Sequence, residues 1–393
     1  MLTRVEIKEF RSCHNVVLDD LSPVTALVGR NGAGKSNILQ AIQSAAHTAT
    51  ITSSLDSEDF PEHARVLLAF QIEGAHYRYE IGTQHQRESS FTVVLSLLER
   101  LDVSTDDRRW RKVFERTDEK VDVNGRDAPI QIDGITPCMA ALRSLVPEQD
   151  DVRRHIGPVH NFLDEIAYFP FDETSTSTEL PFVHGSKYTL WRSVYDRTGT
   201  PGDSLQMRLF HLFLEHNERY HELLSLLGPK GIHLLDTIRM PDQKPGELSA
   251  KLNANFIFSP GYSPAGTFAS RPQGFELNQL SVGTRRVLRM VTAMLLQPQS
   301  VMLFEHPEDT VHPGLLRKLI ALFKTYGDPT QFVFSSHSPT TFDCLDPADV
   351  RLVTMADGQT DVRKMDDKEL AAAKSFLRDE GSLSEFLETL EEV

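Results

Sequence analysis

The stretch that most constrains this chain is residues 24–42. A short apolar run, Val24-Thr-Ala-Leu-Val28, leads into Gly29-Arg-Asn-Gly-Ala-Gly-Lys35-Ser36, followed by Asn37-Ile-Leu-Gln-Ala-Ile42. The order reads as buried strand, glycine-rich turn, helix. The turn fits G-x-x-x-x-G-K-S/T at every fixed position. Gly29, Gly32 and Gly34 let the backbone curl until its N–H groups point inward at phosphate oxygens. Lys35 is then placed to reach the β- and γ-phosphates, and Ser36 to ligate Mg²⁺. The helix adds its N-terminus to the same phosphates. The stretch predicts a nucleotide site of Gly29, Asn31, Gly32, Ala33, Gly34, Lys35, Ser36 and Asn37 with Mg²⁺ on the phosphates.

The rest of the chain must supply a fold around that loop. Its 393 residues allow one large or two ordinary domains, and 40% hydrophobic content is enough for a full core. No apolar run approaches the ~20 residues of a membrane span. The charged N-terminal stretch lacks a signal-peptide core. Cys13, Cys138 and Cys344 are scattered with no CxxC, which predicts neither a disulfide framework nor a zinc site and fits a reducing cytosol. A formal net charge of −15 excludes bulk nucleic-acid binding, so any DNA or RNA contact needs a local basic patch.

Taken in order, residues 2–9 and 16–18 alternate as strands. Residues 43–62 read as a polar surface loop. Runs at 65–72, 76–81, 91–101 and 111–116, with the tight-turn dipeptide Asn124-Gly125, predict an antiparallel β-subdomain over 65–130. Helices are expected at 139–145 and 152–166. A loop is expected at 172–190, one amphipathic helix at 205–227, and a linker or flap at 259–274. The last third returns to α/β rhythm. Helices are expected at 284–296 and 314–326, strands at 301–305, 331–335 and 350–355, and closing helices at 366–378 and 382–392.

Three further motifs lie in that last third. In Leu280-Ser-Val-Gly-Thr-Arg-Arg286, the Ser281 hydroxyl and bare Gly283 N–H open a helix, an anion-binding arrangement. Ser300-Val-Met-Leu-Phe-Glu-His-Pro-Glu308 is an apolar strand ending in an acid, with Val311-His-Pro313 just beyond. Gln331-Phe-Val-Phe-Ser-Ser-His337-Ser-Pro339 is a strand ending in a histidine.

In this order the motifs resemble the signature loop, Walker B strand and switch histidine of ABC-type ATPases of the RecF/SMC-like group. The branch most resembled is the AAA-domain ATPases related to overcoming-lysogenisation-defect (OLD) nucleases and to ATPase subunits of prokaryotic anti-phage and abortive-infection systems. Phe10-Arg11-Ser12, Glu99-Arg100-Leu101 and Ser-His-Ser-Pro also look like that branch. The resemblance implies an α/β fold: an ABC-ATPase head with a mixed or parallel core sheet, an antiparallel β-subdomain and a helical lobe. It implies roles for Lys35, Glu305, His306 and His337 in catalysis, for Ser36 and Glu305 at the metal, and for Arg11 at the nucleotide. It also implies that Ser281 and Gly283 reach the γ-phosphate held by another subunit. The domains expected are 1–170 and 280–393 as two parts of the ATPase lobe, with 171–279 as helical lobe and loops.

Two residues depart from the pattern. Val282 replaces a glycine of the signature. His306 stands where a catalytic glutamate is usual; a neutral imidazole can act as base, and Glu308, turned away by Pro307, is the alternative. The glutamine that senses Mg²⁺ in this fold is not placed, Gln71 and Gln131 both being poor candidates. Arg108-Arg109, Arg111-Lys112 and Arg153-Arg154-His155, with Trp110, are candidate phosphate contacts, whereas Arg285 and Arg286 suit the signature helix and dimer contact. The stretch after His337 is expected to be too short for the Toprim nuclease domain that OLD-family nucleases carry. The expectation is therefore a cytoplasmic, slowly hydrolysing ATPase that forms a homodimer or higher homo-oligomer around ATP·Mg²⁺ and controls a separate effector, a nuclease or other toxin, in phage defence. A RecF/SMC-like DNA-repair ATPase and a non-hydrolysing ATP-bound scaffold stay open as alternatives.

Overall fold

The computed structural model describes residues 1–51, 60–61, 63–89, 92–106, 109–117, 120–127, 136–145, 151–170, 182–198, 204–241, 243–249, 251–258, 273–296, 299–379 and 381–390. The chain forms two units. The first comprises Met1–Phe169, Gln299–His306 and Leu322–Val393, and the second Pro170–Pro298 and Pro307–Ala321.

The elements begin β1 (Leu2–Phe10), β2 (Cys13–Asp19), β3 (Val24–Val28) and α1 (Lys35–Thr50). Strands β4 (Arg65–Ile72), β5 (Ala75–Ser89), β6 (Thr92–Ser104), β7 (Arg111–Thr117), β8 (Lys120–Val123) and β9 (Arg126–Asp127) follow. Then come α2 (Cys138–Leu145), α3 (Asp151–Asp164), β10 (Ile166–Phe169), β11 (Val183–His184), α4 (Gly185–Thr198), α5 (Leu205–Glu215) and α6 (Asn217–Leu227). Next are β12 (Thr237–Arg239), β13 (Lys251–Leu252), β14 (Asn255–Phe258), β15 (Gln273–Phe275), α7 (Val282–Leu296), β16 (Val301–Glu305), α8 (Pro313–Thr325) and β17 (Gln331–Ser336). The chain closes with α9 (Pro339–Phe342), β18 (Val350–Ala356), β19 (Gln359–Lys364), α10 (Asp367–Arg378) and α11 (Leu383–Thr389).

The first unit holds two sheets. One has the order β10-β16-β17-β3-β18-β19, parallel except for its edge strand β19. β3 and β17 are buried along their whole length, which is why they read as unbroken apolar runs rather than alternating ones. The other sheet is antiparallel, β2-β1-β4-β5-β6-β7-β8-β9. Helix α1 touches strands of both sheets as well as α2 and α3. It therefore buries Ile38, Leu39, Ala41, Ile42, Ala45, Ala46 and Ala49, and small alanines let it lie close to what covers it.

Two polar side chains pin this unit. Buried Gln331 accepts the Leu2 N–H at 2.8 Å and donates to the Leu2 and Ser22 carbonyls, both at 2.9 Å. Buried Glu99 accepts the first N–H groups of α2, from Cys138 at 2.5 Å and Met139 at 2.9 Å, and the Tyr79 hydroxyl at 2.9 Å. Its carboxyl is raised above the usual range by burial, against the pull of those donors.

The second unit packs α7 against α5 and α6, beside the small sheets β12-β14-β15 and β11-β13. Arg219 donates to the carbonyls of Leu295 and Leu296 at 3.3 and 3.0 Å, closing the C-terminus of α7. Residues 280–298 thus group with the helical unit, and the boundary expected at 279 falls beyond α7.

Four expectations change in the structure. The loop expected at 43–62 is helical to Thr50, because alanines continue the buried face of α1. The helix expected at 205–227 breaks at His216 (φ −131°, ψ 58°). α5 is buried nearly all round whereas α6 buries three residues, so the two present different faces, and the Phe213 and Tyr220 rings meet 5.1 Å apart across the break. The loop expected at 172–190 contains β11 and the start of α4. β19 was not anticipated, since Gln359-Thr-Asp-Val-Arg-Lys364 is polar, as an edge strand permits. Residues 52–59, 171–181 and 259–272, together with Arg108 and Gln131, lie outside the described residues.

Candidate nucleotide site

Strand order alone gathers three of the four motifs. β3, β17 and β16 are consecutive neighbours, with Ser336 beside Val28 and Glu305 beside Ser335. Their carboxyl ends run directly into the glycine loop, into His337 and into His306. In open parallel sheets ligands bind at this edge, outside the strand ends.

The loop is shaped for close approach. Gly32 (φ +80°) and Gly34 (φ +96°) are left-handed, and a side chain at Gly29 would run into the Val353 carbonyl. The first turn of α1 has no side-chain cap and no acidic residue, so its N–H groups can serve an anion. Lys35 is 4% exposed, and its Nζ donates to the Gly29 and Arg30 carbonyls at 2.7 and 2.8 Å. Its charge is held inside the loop curl.

A polar brace fixes the outer side of this loop. The Thr360 hydroxyl on β19 donates to the Ala33 carbonyl at 3.1 Å and meets the Ser12 hydroxyl at 2.7 Å. Asn37 donates to the same Ser12 oxygen at 2.7 Å. Exposed Arg11 is left-handed (φ 54°) and donates to Asn37 at 3.4 Å and to Gln40. Asn31 is exposed, while Ser36 and Asn37 are half-buried.

At the end of β16, the Glu305 oxygen Oε1 is buried without a hydrogen-bond partner. A carboxylate oxygen and a serine hydroxyl are hard donors of the kind Mg²⁺ takes. The donor chemistry of Glu305 and Ser36 fits a Mg²⁺ ion; these residues would hold it, and it would offset phosphate charge. His306 is left-handed (φ 43°) and donates its N–H to the Ser335 carbonyl at 3.1 Å. Its Nδ1 lies 3.0 Å from Nδ1 of His337, with the rings edge to face at 4.8 Å.

The signature loop belongs to the second unit. The Ser281 hydroxyl accepts the Thr284 N–H at 3.2 Å, capping α7. Gly283 lies so close to the Thr310 carbonyl that a side chain there would collide with it. Arg286 donates to the Asp309 carbonyl at 2.8 Å, and Arg285 reaches the Asn278 carbonyl at 3.5 Å. Glu308 is buried and groups with this unit.

Two members of the basic cluster of the first unit are paired with acids. Arg111 pairs with Asp151 at 2.9 Å, and Lys112 pairs with Glu115 at 3.0 Å and Asp122 at 3.5 Å. The Arg78 guanidinium stacks 3.8 Å over Trp110.

Two residues at the site escaped the sequence reading. Gln40 lies one turn beyond Ser36 on α1, and its Nε2 donates to the Tyr168 hydroxyl at 3.1 Å. The helical i, i+4 spacing from Ser36 was the available signal.

The model of the family described as "AAA domain, putative AbiEii toxin, Type IV TA system" matches residues 24–177 and 196–343. Among solved structures, a Smc head bound to the C-winged helix domain of ScpA aligns with 94% of this chain and 99% of its own, at TM-score 0.51 and 16% identity. A Smc head with an extended coiled coil, bound to the C-terminal domain of ScpA from Pyrococcus furiosus, covers 96% of this chain and 99% of its own at TM-score 0.48 and 14% identity, too loose a likeness to weigh. Comparison with curated proteins returns no match. Among the described residues no helix is long and apolar enough to cross a membrane. The α/β architecture is that of an SMC-head-like, ATP-binding ATPase fold, and the chain belongs to the AAA-domain family whose model spans its glycine loop, signature, acidic strand and histidine.

Proposed function

We propose that this protein binds ATP·Mg²⁺ at the carboxyl edge of β3, β17 and β16, hydrolyses it slowly, and pairs with a second copy around the nucleotide to control a separate effector in anti-phage defence. The observation that supports it best is the strand order, which sets the glycine loop, Glu305 and His337 on three adjacent strand ends. Lys35 takes the β- and γ-phosphates after exchanging its bonds to the Gly29 and Arg30 carbonyls. The uncapped start of α1 and Arg11 add positive charge around them. His306 serves as the group that receives a proton from the attacking water. The effector role rests on the family's description and on the resemblance to abortive-infection ATPases, so it is an analogy of function rather than of site. The binding half is tested by Lys35→Ala: ATP affinity should fall at least ~10²-fold, as expected when a buried cation facing phosphate is removed. Unchanged affinity in a folded Lys35→Ala protein rejects the site.

The non-hydrolysing scaffold is favoured by one observation, the engagement of His306 with His337 in place of a free carboxylate. Single-turnover phosphate release at saturating ATP separates it from slow hydrolysis.

A further inference from the structure

Three groups converge between α1 and the edge of the parallel sheet. Tyr168 on β10 lies opposite Leu303 on β16. Alternation along β16 then puts Leu303 and Glu305 on one face, and the parallel register puts Tyr168 on that same face. Tyr168 is partly buried against the core cluster containing Leu303, Ile38 and Ile42, while its neighbour Phe169 meets Phe304 on the opposite face at 5.0 Å. Gln40 reaches this face from α1 and donates to the Tyr168 hydroxyl at 3.1 Å, and its own carbonyl oxygen accepts from Arg11. The phenol's lone pair is thereby occupied, and its proton is directed to the neighbouring carboxylate. The Tyr168 hydroxyl also hydrogen-bonds the Glu305 side chain. The other carboxylate oxygen, Oε1, is buried with no hydrogen-bond partner.

We propose that Tyr168 is a positioning residue for the divalent cation: held by Gln40, its hydroxyl fixes the Glu305 carboxylate and leaves Oε1 for the metal, linking the cation's ligand to Arg11. This rests on the ATP·Mg²⁺ reading above and deepens it. It assigns to a tyrosine and a helical glutamine the outer shell around the metal ligand. Such outer partners set ligand orientation, and losing one typically costs about 10–100-fold in metal affinity.

The test uses Mn²⁺ as the probe, read by the electron paramagnetic resonance of free Mn²⁺ in the presence of protein and ATP. Binding of a fluorescent ATP analogue in chelator supplies the metal-free affinity. Tyr168→Phe keeps the ring and removes only the hydroxyl. Its half-saturating Mn²⁺ should rise ~10-fold or more, with metal-free nucleotide affinity changed by less than about two-fold. Gln40→Leu, which leaves Tyr168 intact, should shift Mn²⁺ the same way by a smaller factor, and it carries the test if Tyr168→Phe does not fold. Unchanged Mn²⁺ dependence in the folded variant, or equal loss of metal-free and metal-dependent binding, overturns the assignment. A wild-type protein that binds no nucleotide with or without Mn²⁺ overturns the ATP reading itself and this inference with it.

Discussion

Nδ1 of His306 and Nδ1 of His337 lie 3.0 Å apart, so the two imidazoles form one unit. One nitrogen carries the hydrogen and the other accepts it. Removing a general base costs typically ~10²–10⁴-fold in rate. His306→Ala should therefore lose at least ~10²-fold in phosphate release while nucleotide affinity holds. His306→Glu should turn over faster than wild type. A rate that survives His306→Ala excludes the imidazole as base and favours the scaffold.

Assembly is tested at the signature loop. Ser281 starts α7 in the second unit, and its hydroxyl caps the helix through Thr284. Ser281→Arg should block ATP-promoted association by bulk and charge, while ATP binding to the single chain stays near wild type. Analytical ultracentrifugation with a slowly hydrolysed ATP analogue checks this. Identical masses with and without nucleotide in wild type remove nucleotide-gated pairing.

Stability should depend on pH through His160. Burial first, and then the Arg143 guanidinium 2.6 Å away, lower its pKa from 6.5 to about 4. Between those values the unfolded chain takes up a proton that the folded chain refuses. Stability therefore falls as pH drops from about 6.5 toward 4. Allowing for screening, the loss between pH 7 and 5 is about 1–2 kcal/mol. In His160→Gln the difference in urea midpoint between pH 7 and 5 should shrink. An undiminished difference assigns the acid sensitivity elsewhere.

Gln331 offers a test of the fold without touching the site. Gln331→Leu keeps volume but leaves the Leu2 N–H and two carbonyls without their partner. The cost should be ~2–3 kcal/mol, given the penalty for buried unsatisfied groups. Thermal unfolding should fall by several degrees, with ATP affinity little changed. A wild-type melting temperature would show that water or relaxation replaces the amide.

How far the sequence was legible follows from where each signal is stored. β3, β16 and β17 were readable because both faces of each are buried, so burial writes a continuous apolar run. The glycine loop was readable because phosphate geometry demands fixed residues at fixed spacing. β19 was not, since an edge strand carries a polar sequence that Thr360 needs only once. The break at His216 was hidden because α5 and α6 share an amphipathic period, and the change of buried face is decided by partners far along the chain. Gln40 and Tyr168 are separated in sequence by strands β4 to β9 of the antiparallel sheet. Their meeting is a product of topology that no local pattern encodes.

The brace of Thr360 on Ala33 and Ser12 also has a bearing on biosynthesis. The phosphate loop is synthesised well before its neighbours β17 and β18 and its buttress on β19. A nascent chain carrying only the glycine motif thus has a free strand edge and an unsupported loop. The loop gains its brace only once β19 has formed beside β18.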